Sequence, residues 1–387
     1  MDLTLEAYSN IVEYVGRRSD IAALCRVSKP LRRAAEKRLY KTIYLEDTHD
    51  TRSLCVTLAN SPRLASLVES FTLSPLEYDE SDDEDDIGPG DVEELPEGYW
   101  SWISKALKNM RGLKHLDIHS QNGPTSACAW IYPKGQVFLL HTLYCDFDWD
   151  NDLAEFINSQ DALEDLYILD FKTSNTPPID ATDTNPATER TIYTTVNDSA
   201  MPKLTILECT FSEAADTIVP HRPITRLKTC FSRTEPAAKG EELARLCRNI
   251  SRSTEPFQSL DIADSSYSEA FSMELLRAVV ETKATNTDLR YVGTLVLPIH
   301  GQERLQFYGL LMRLPLLRCI ELEVSDWDPV PSTPAAFRAL TNELRIYCPL
   351  ITMVVFVHEF ERTAVRVSQG FCAVDADVYT EHLWREI

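Results

Sequence analysis

One spacing recurs along most of this chain and limits what it can fold into. An apolar residue is followed by a second three positions on and a third two positions after that. It occurs as Val68-Phe71-Leu73, Leu113-Leu116-Ile118, Leu140-Leu143-Cys145, Leu163-Leu166-Ile168 and Leu204-Leu207-Cys209. It returns as Phe257-Leu260-Ile262, Val292-Leu295-Leu297, Leu317-Ile320-Leu322 and Leu350-Met353-Val355. The last two positions of each unit sit two apart, so both point to one face of a strand. A unit this short cannot bury that face alone and must stack on its neighbours. Helix-period stretches lie between, at 152–159, 241–250, 268–282 and 335–347. Strand and helix therefore alternate, which predicts a curved α/β solenoid with a parallel concave sheet. An ordinary open α/β sheet is the alternative.

The spacing resembles the core of a leucine-rich repeat, in degenerate form. Equivalent strands lie roughly twenty to forty-five residues apart, and the Asn or Cys that usually follows the strand is mostly missing. Between the inward residues stand Asp117, Tyr144, Tyr167, Glu208, Asp261, Glu321 and Glu323. Stacked in columns, they would form a largely acidic face with aromatic patches, suited to a basic segment of a protein target.

Residues 1–45 are organised differently. Three short amphipathic runs (through Tyr8, Ile11, Val12 and Val15; Ile21, Leu24, Cys25 and Val27; Leu31 to Tyr40) precede the strand-like 42–45. They hold too few residues to close much of a core and call for a partner surface. Their order resembles the F-box, in Leu3, Glu6, Ile11, Val15, Asp20-Ile21, Val27-Ser28-Lys29 and Leu31-Arg32. Thr4 stands where that family usually has Pro, and its hydroxyl is a suitable substitute cap for a first helical turn. The resemblance implies that the head binds an Skp-family adaptor and, through it, a cullin-based ubiquitin ligase. Leu3, Leu5, Ile11, Val15, Ile21, Val27 and Leu31 would make that contact or pack directly behind it. An F-box followed by degenerate leucine-rich repeats is itself a familiar architecture, in which the repeats (here 46–387) recognise the substrate. A ligase-independent repeat scaffold, with the head serving only as a cap, is the alternative.

Net charge is −22, although residues 1–41 carry nine Lys or Arg against five acids. So acidic a body repels phosphate backbones and anionic bilayers, and the basic cluster from Lys29 to Lys41 reads as a solvated helix face. Ten cysteines without CxxC spacing fit buried free thiols, and no apolar run reaches spanning length, so a cytosolic or nuclear protein is expected. Residues 77–97 hold twelve acids and no base, which predicts a disordered insertion with Ser81 as a candidate phosphorylation site. Residues 172–200 read as a long loop. Residues 362–374 alternate as strands and 378–387 read as a helix, and together 362–387 would cap the open edge of the last repeat.

No phosphate-binding, nucleophile-elbow or metalloprotease motif is present, and Gly numbers only 12. His115 and His119 fall on the outward face of a strand, a weak metal pair. Cys145 near His141 reads as a packed thiol rather than a nucleophile. Asp82 to Asp86 lack the Gly turn and terminal Glu of a calcium loop. The chain is expected to be no enzyme and to need no cofactor.

Overall fold

The computed structural model describes residues 4–74, 98–119, 128–147, 149–169, 196–264, 266–359 and 361–387. The acidic run 77–97 with Ser81 and most of 172–200 lie outside these residues, as does Leu3. The chain forms two compact units, residues 1–201 and 202–387.

The first unit opens with three helices, α1 (Leu5–Glu13), α2 (Arg18–Leu24) and α3 (Lys29–Lys41). The Thr4 hydroxyl accepts from the Ala7 N–H at 3.2 Å, so it does cap α1. Ser28 caps α3 in the same way, with Pro30 in the first turn. Val12, Ile21, Ala34 and Ala35 form the small core of this head, with Tyr8, Val15, Leu24 and Leu31 packed around it. From α3 the chain runs directly into β1 (Thr42–Leu45), then α4 (Thr48–Asn60), α5 (Pro62–Ala65) and β2 (Ser70–Leu73). Next come α6 (Tyr99–Leu107), β3 (His115–Ile118), β4 (Thr142–Cys145), α7 (Asn151–Asn158) and β5 (Asp165–Ile168). β1 to β5 pair in sequence order, all parallel. Ile43, Phe71, Leu116, Leu143 and Leu166 stand opposite one another in register, and all five are buried.

The second unit repeats the plan: β6 (Ile206–Phe211), α8 (Ser212–Ile218), β7 (Arg226–Cys230), α9 (Pro236–Ile250), β8 (Ser259–Ala263), α10 (Glu269–Glu281) and α11 (Lys283–Asn286). There follow β9 (Tyr291–Val296), α12 (Gly301–Leu311), β10 (Cys319–Glu323), α13 (Pro334–Tyr347) and β11 (Met353–His358). The neighbouring strands β6 to β11 pair in parallel. β12 (Glu361–Ser368) and β13 (Phe371–Val374) then close the edge as an antiparallel hairpin, before α14 (Leu383–Glu386). Here the buried column is Leu207, Leu227, Leu260, Val292, Ile320 and Val354.

Parallel strand–helix repeats therefore stand, but three expectations need correction. The last unit is Ile351-Val354-Phe356, one residue on from Leu350-Met353-Val355: Val354 pairs with Ile320, and Leu350 is 48% exposed. A one-residue slip moves Met353 and Val355 to the other face of the sheet. The β9 unit is likewise Leu289-Val292-Leu295, because the ladder skips Gly293 between Ile320 and Glu321. A Cβ at Gly293 would stand 3.0 Å from the Asp261 Cα and inside that residue's carboxylate, so the bulge needs glycine. Third, within the expected cap of 362–387 the strands β12 and β13 do lie along the edge, but the helix expected at 378–387 is only a 3₁₀ turn and α14, which lies against β7, β8 and β9.

Leu143, fully buried between Leu116 and Leu166, should cost roughly 2–5 kcal/mol when changed to Ala. Leu350→Ala should cost under about 0.5 kcal/mol, since it removes little buried surface. Urea unfolding of both variants checks the assignment of the faces.

Candidate functional site

The side of each sheet opposite its helices carries the residues between the buried columns. In the first unit Tyr44, Thr72, Asp117, Tyr144 and Tyr167 stand in register across β1 to β5. Asp117, Tyr144 and Tyr167 are half-buried, and the two tyrosine rings meet edge to face at 6.0 Å. The Tyr144 hydroxyl donates to Asp165 at 2.8 Å. His119, just past β3, sets its Nε2 2.7 Å from Asp117 Oδ1, a contact that holds the imidazole above its usual pKa. The first unit's row is thus mainly aromatic, with the single acid Asp117 between His115 and His119 on the same strand face.

In the second unit the same row reads Glu208, Lys228 and Asp261, with Thr294, Glu321 and Val355 continuing it across the bulge. This row is not the open acidic surface that strand alternation predicts: Asp261 is 9% and Glu321 0% exposed. The chain's C-terminal residues cover it. Leu383 and Trp384 bury in one cluster with Tyr291, Cys319, Met353, Val355 and Ala364. Arg385 donates to Glu208 at 2.7 Å, and Lys228 reaches Glu208 at 3.1 Å. Glu321 is saturated: it accepts from the Tyr291 hydroxyl at 2.7 Å, the Thr294 hydroxyl at 2.9 Å and the Arg362 guanidinium at 2.9 Å. Glu323 is half-buried and accepts from the Ser325 backbone and hydroxyl.

Asp261 differs from the other two acids. No hydrogen bond or ion pair reaches its carboxylate among the described residues. Burial, and then the nearby Glu321, push its pKa from 3.8 up to about 7, against the pull of Lys228 and Arg362. It lines a cavity of about 300 Å³ together with Glu208, Lys228, Tyr291, Arg362 and Trp384. Arg362 and the Trp384–Arg385 pair are residues that strand alternation gave no reason to bring here, because they come from the hairpin and tail.

The sites weighed for chemistry fall out differently. Cys145 is fully buried, which raises its thiol to about 12, and His141 pairs instead with Glu164 at 3.3 Å. Among the described residues metal-type donors converge only at Asp47, His49 and Asp50, at the exposed start of α4. There Asp47 already caps the helix by accepting from the Asp50 N–H. Buried polar contacts that sequence reasoning missed hold loops in place. Glu242 accepts from Ser212, Ser232 and Arg233, and Lys239 pairs with Asp264 at 2.7 Å.

In the head, Leu5 (57% exposed), Ile11 (44%) and Val27 (66%) point outward, whereas Ile21, Val15 and Leu31 pack behind them. Tyr14, not among the expected contacts, is 92% exposed beside them in sequence.

No family model matches the chain, and no curated protein matches it. Among solved structures it is similar to the leucine-rich repeat-containing protein LegL7 from Legionella pneumophila, at 12% identity and a TM-score of 0.37. That match covers 84% of this chain and 88% of the other. The repeat reading rests on the strand register, not on this likeness.

An acid whose folded pKa lies above its unfolded one keeps its proton in the folded chain. Asp261 should therefore lower stability as pH rises from about 4 to about 7, with the full penalty above that range. Asp261→Asn is expected to melt higher than the natural chain at pH 8, by a few degrees, with the gain shrinking toward pH 4. Thermal melts at both pH values check it.

Proposed function

We propose that this chain is a substrate-recognition subunit of a cullin-based ubiquitin ligase, without catalytic residues of its own. The observation that carries the reading is the head's outward set, Leu5, Ile11, Tyr14 and Val27, which stays exposed although a separate small core lies behind it. So much apolar surface on three short helices is a docking face for another protein. The F-box resemblance, which includes Ile11 and Val27 of this set, assigns that partner to the Skp family, and through it to a cullin. The cytosol and nucleus are the compartments this implies. The described residues include no helix long and apolar enough to cross a membrane.

In this reading the repeats hold a target protein near the ubiquitin-charged partner, and what they contribute is proximity. Asp117, Tyr144 and Tyr167, with His119 beside them, offer the target an acidic and aromatic column. Its complement is a basic segment whose binding weakens as salt rises.

Changing Ile11 and Val27 together to Asp would place two charges in a desolvated contact while leaving Val12 and Ile21 in place. Affinity purification with an Skp-family adaptor should succeed for the natural chain and fail for this variant, at unchanged melting temperature. A natural chain that retains no adaptor would favour the ligase-independent scaffold instead.

A further inference from the structure

The C-terminal segment covers the second unit's charged face without filling it. Beyond β13 the chain crosses the sheet, and Trp384 ends 1% exposed with the Lys228 ammonium 5.9 Å from its ring centre. Finished protein interiors pack at the density of organic crystals. Leu383 and Trp384 are buried in this way, but solvent-open clefts flank the segment beside them. One cavity is that of about 300 Å³ around Asp261, to which the segment contributes Thr380, Glu381, His382 and Trp384. The other, of about 570 Å³, lies between Val378, Leu383 and Ile387 on the segment and Thr352, Met353 and Arg366 on the sheet. The segment's regular structure here amounts to a short 3₁₀ turn and the four residues of α14.

The charges around the first cavity are also unevenly matched. Glu208 has Arg385 and Lys228, and Glu321 has Arg362, Tyr291 and Thr294. Asp261, nine-tenths buried, has none of these; the segment lines the same cavity with another acid, Glu381, and with His382, neither of which bonds to Asp261. A carboxylate taken out of water without a partner is costly, so this face is better matched by a segment that brings a second cation.

We propose that this face is a docking groove for a partner-protein segment in which an aromatic residue precedes a basic one and a further basic residue meets Asp261, and that residues 378–387 are its internal, displaceable occupant. The partner's aromatic ring takes the place of Trp384 over Tyr291, Cys319 and Met353. Its first cation replaces Arg385 at Glu208, and its second enters the cavity that now holds Glu381. While the chain's own end is in place, the groove's apparent affinity falls by the fraction of molecules in which it is closed. This groove is built from second-unit residues alone, so it stands or falls independently of the ligase reading.

The test uses the synthetic peptide Val378–Ile387 and a chain ending at Asp377. Tryptophan fluorescence and calorimetry should show saturable binding. Glu208→Lys in the chain, or Trp384→Ala in the peptide, should weaken it by roughly tenfold or more. The peptide carrying Glu381→Lys should bind roughly tenfold tighter than the natural one, and that gain should vanish in Asp261→Asn. Cys319, fully buried in the same cluster as Trp384, reports on the intact chain. Its maleimide labelling, read by mass spectrometry, should rise roughly tenfold in Arg385→Glu without peptide, and should fall back as the Glu381→Lys peptide is added and its own indole covers the thiol. The second arm decides the matter where the shortened chain does not fold. A folded shortened chain that leaves the peptide unbound would overturn the proposal. So would a scrambled peptide that binds equally, or an Arg385→Glu chain whose Cys319 labels at the natural rate.

Discussion

In-register parallel pairing of one buried residue per strand is the constraint on which the other features depend. Phe71, Leu116, Leu143 and Leu166 meet across the first unit, and Leu207, Leu227, Leu260, Val292, Ile320 and Val354 across the second. Side chains alternate along a strand, so fixing this column also fixes the identity of every residue on the opposite face. That is why acids spread over more than a hundred residues of sequence, Glu208, Asp261 and Glu321, come to lie along one row. None of the three was brought there by a contact of its own. The row follows from the burial of leucines and isoleucines on the other side, which supplies the larger free energy.

The two faces so made differ in chemistry. In the first unit the column is short, and its tyrosines and His119–Asp117 pair remain half-buried. In the second it carries three acids, which the chain answers with Lys228 from a neighbouring strand, Arg362 from the closing hairpin and Arg385 from the tail. Buried ion pairs give little net stability, because desolvation offsets most of their attraction. Replacing them with apolar residues would be the more stable solution, as Val355 and Met353 show on the same face. In the docking groove proposed above, Glu208 and Asp261 are the acids that a partner's cations would meet.

Where the sequence pattern was regular, the fold was legible. The stretches expected at 152–159, 241–250, 268–282 and 335–347 are helices, with α9 starting earlier, at Pro236, and most of the strand units follow from periodicity. β7 was missed because its inward pair is Leu227 and Thr229, and a polar Thr breaks the apolar spacing. At β11 a continuous apolar run buried on both faces, and at β9 burial on both faces together with the bulge at Gly293, erased the alternation that sets register. α12 escaped notice because Leu305, Phe307, Tyr308, Leu310 and Leu311 do not gather on one stripe, and Leu305 stays exposed. The site was legible only in part. Strand alternation brought Glu208, Asp261 and Glu321 into one row, yet it carries no information about a segment arriving from the far end of the chain. Trp384 and Arg385 were visible as a terminal helix, but not the face they would choose.

That choice has a physical logic once the hairpin is considered. β12 and β13 pair antiparallel beside β11 and so satisfy the edge hydrogen bonds that a terminal parallel strand would leave open. With the edge closed, the residues after Val374 are not needed there, and the apolar surface left uncovered is Tyr291, Cys319, Met353 and Val355. Leu383 and Trp384 cover that patch, and Arg385, next in sequence, is carried within reach of Glu208. The apolar contact therefore places the ionic one, and the ionic one adds direction to a contact that has little of its own. A tail held by Leu383 and Trp384, with Val378 and Ile387 packed beside them and one partly exposed ion pair, is positioned firmly enough to occupy the face, with clefts beside it that a better-matched segment would fill.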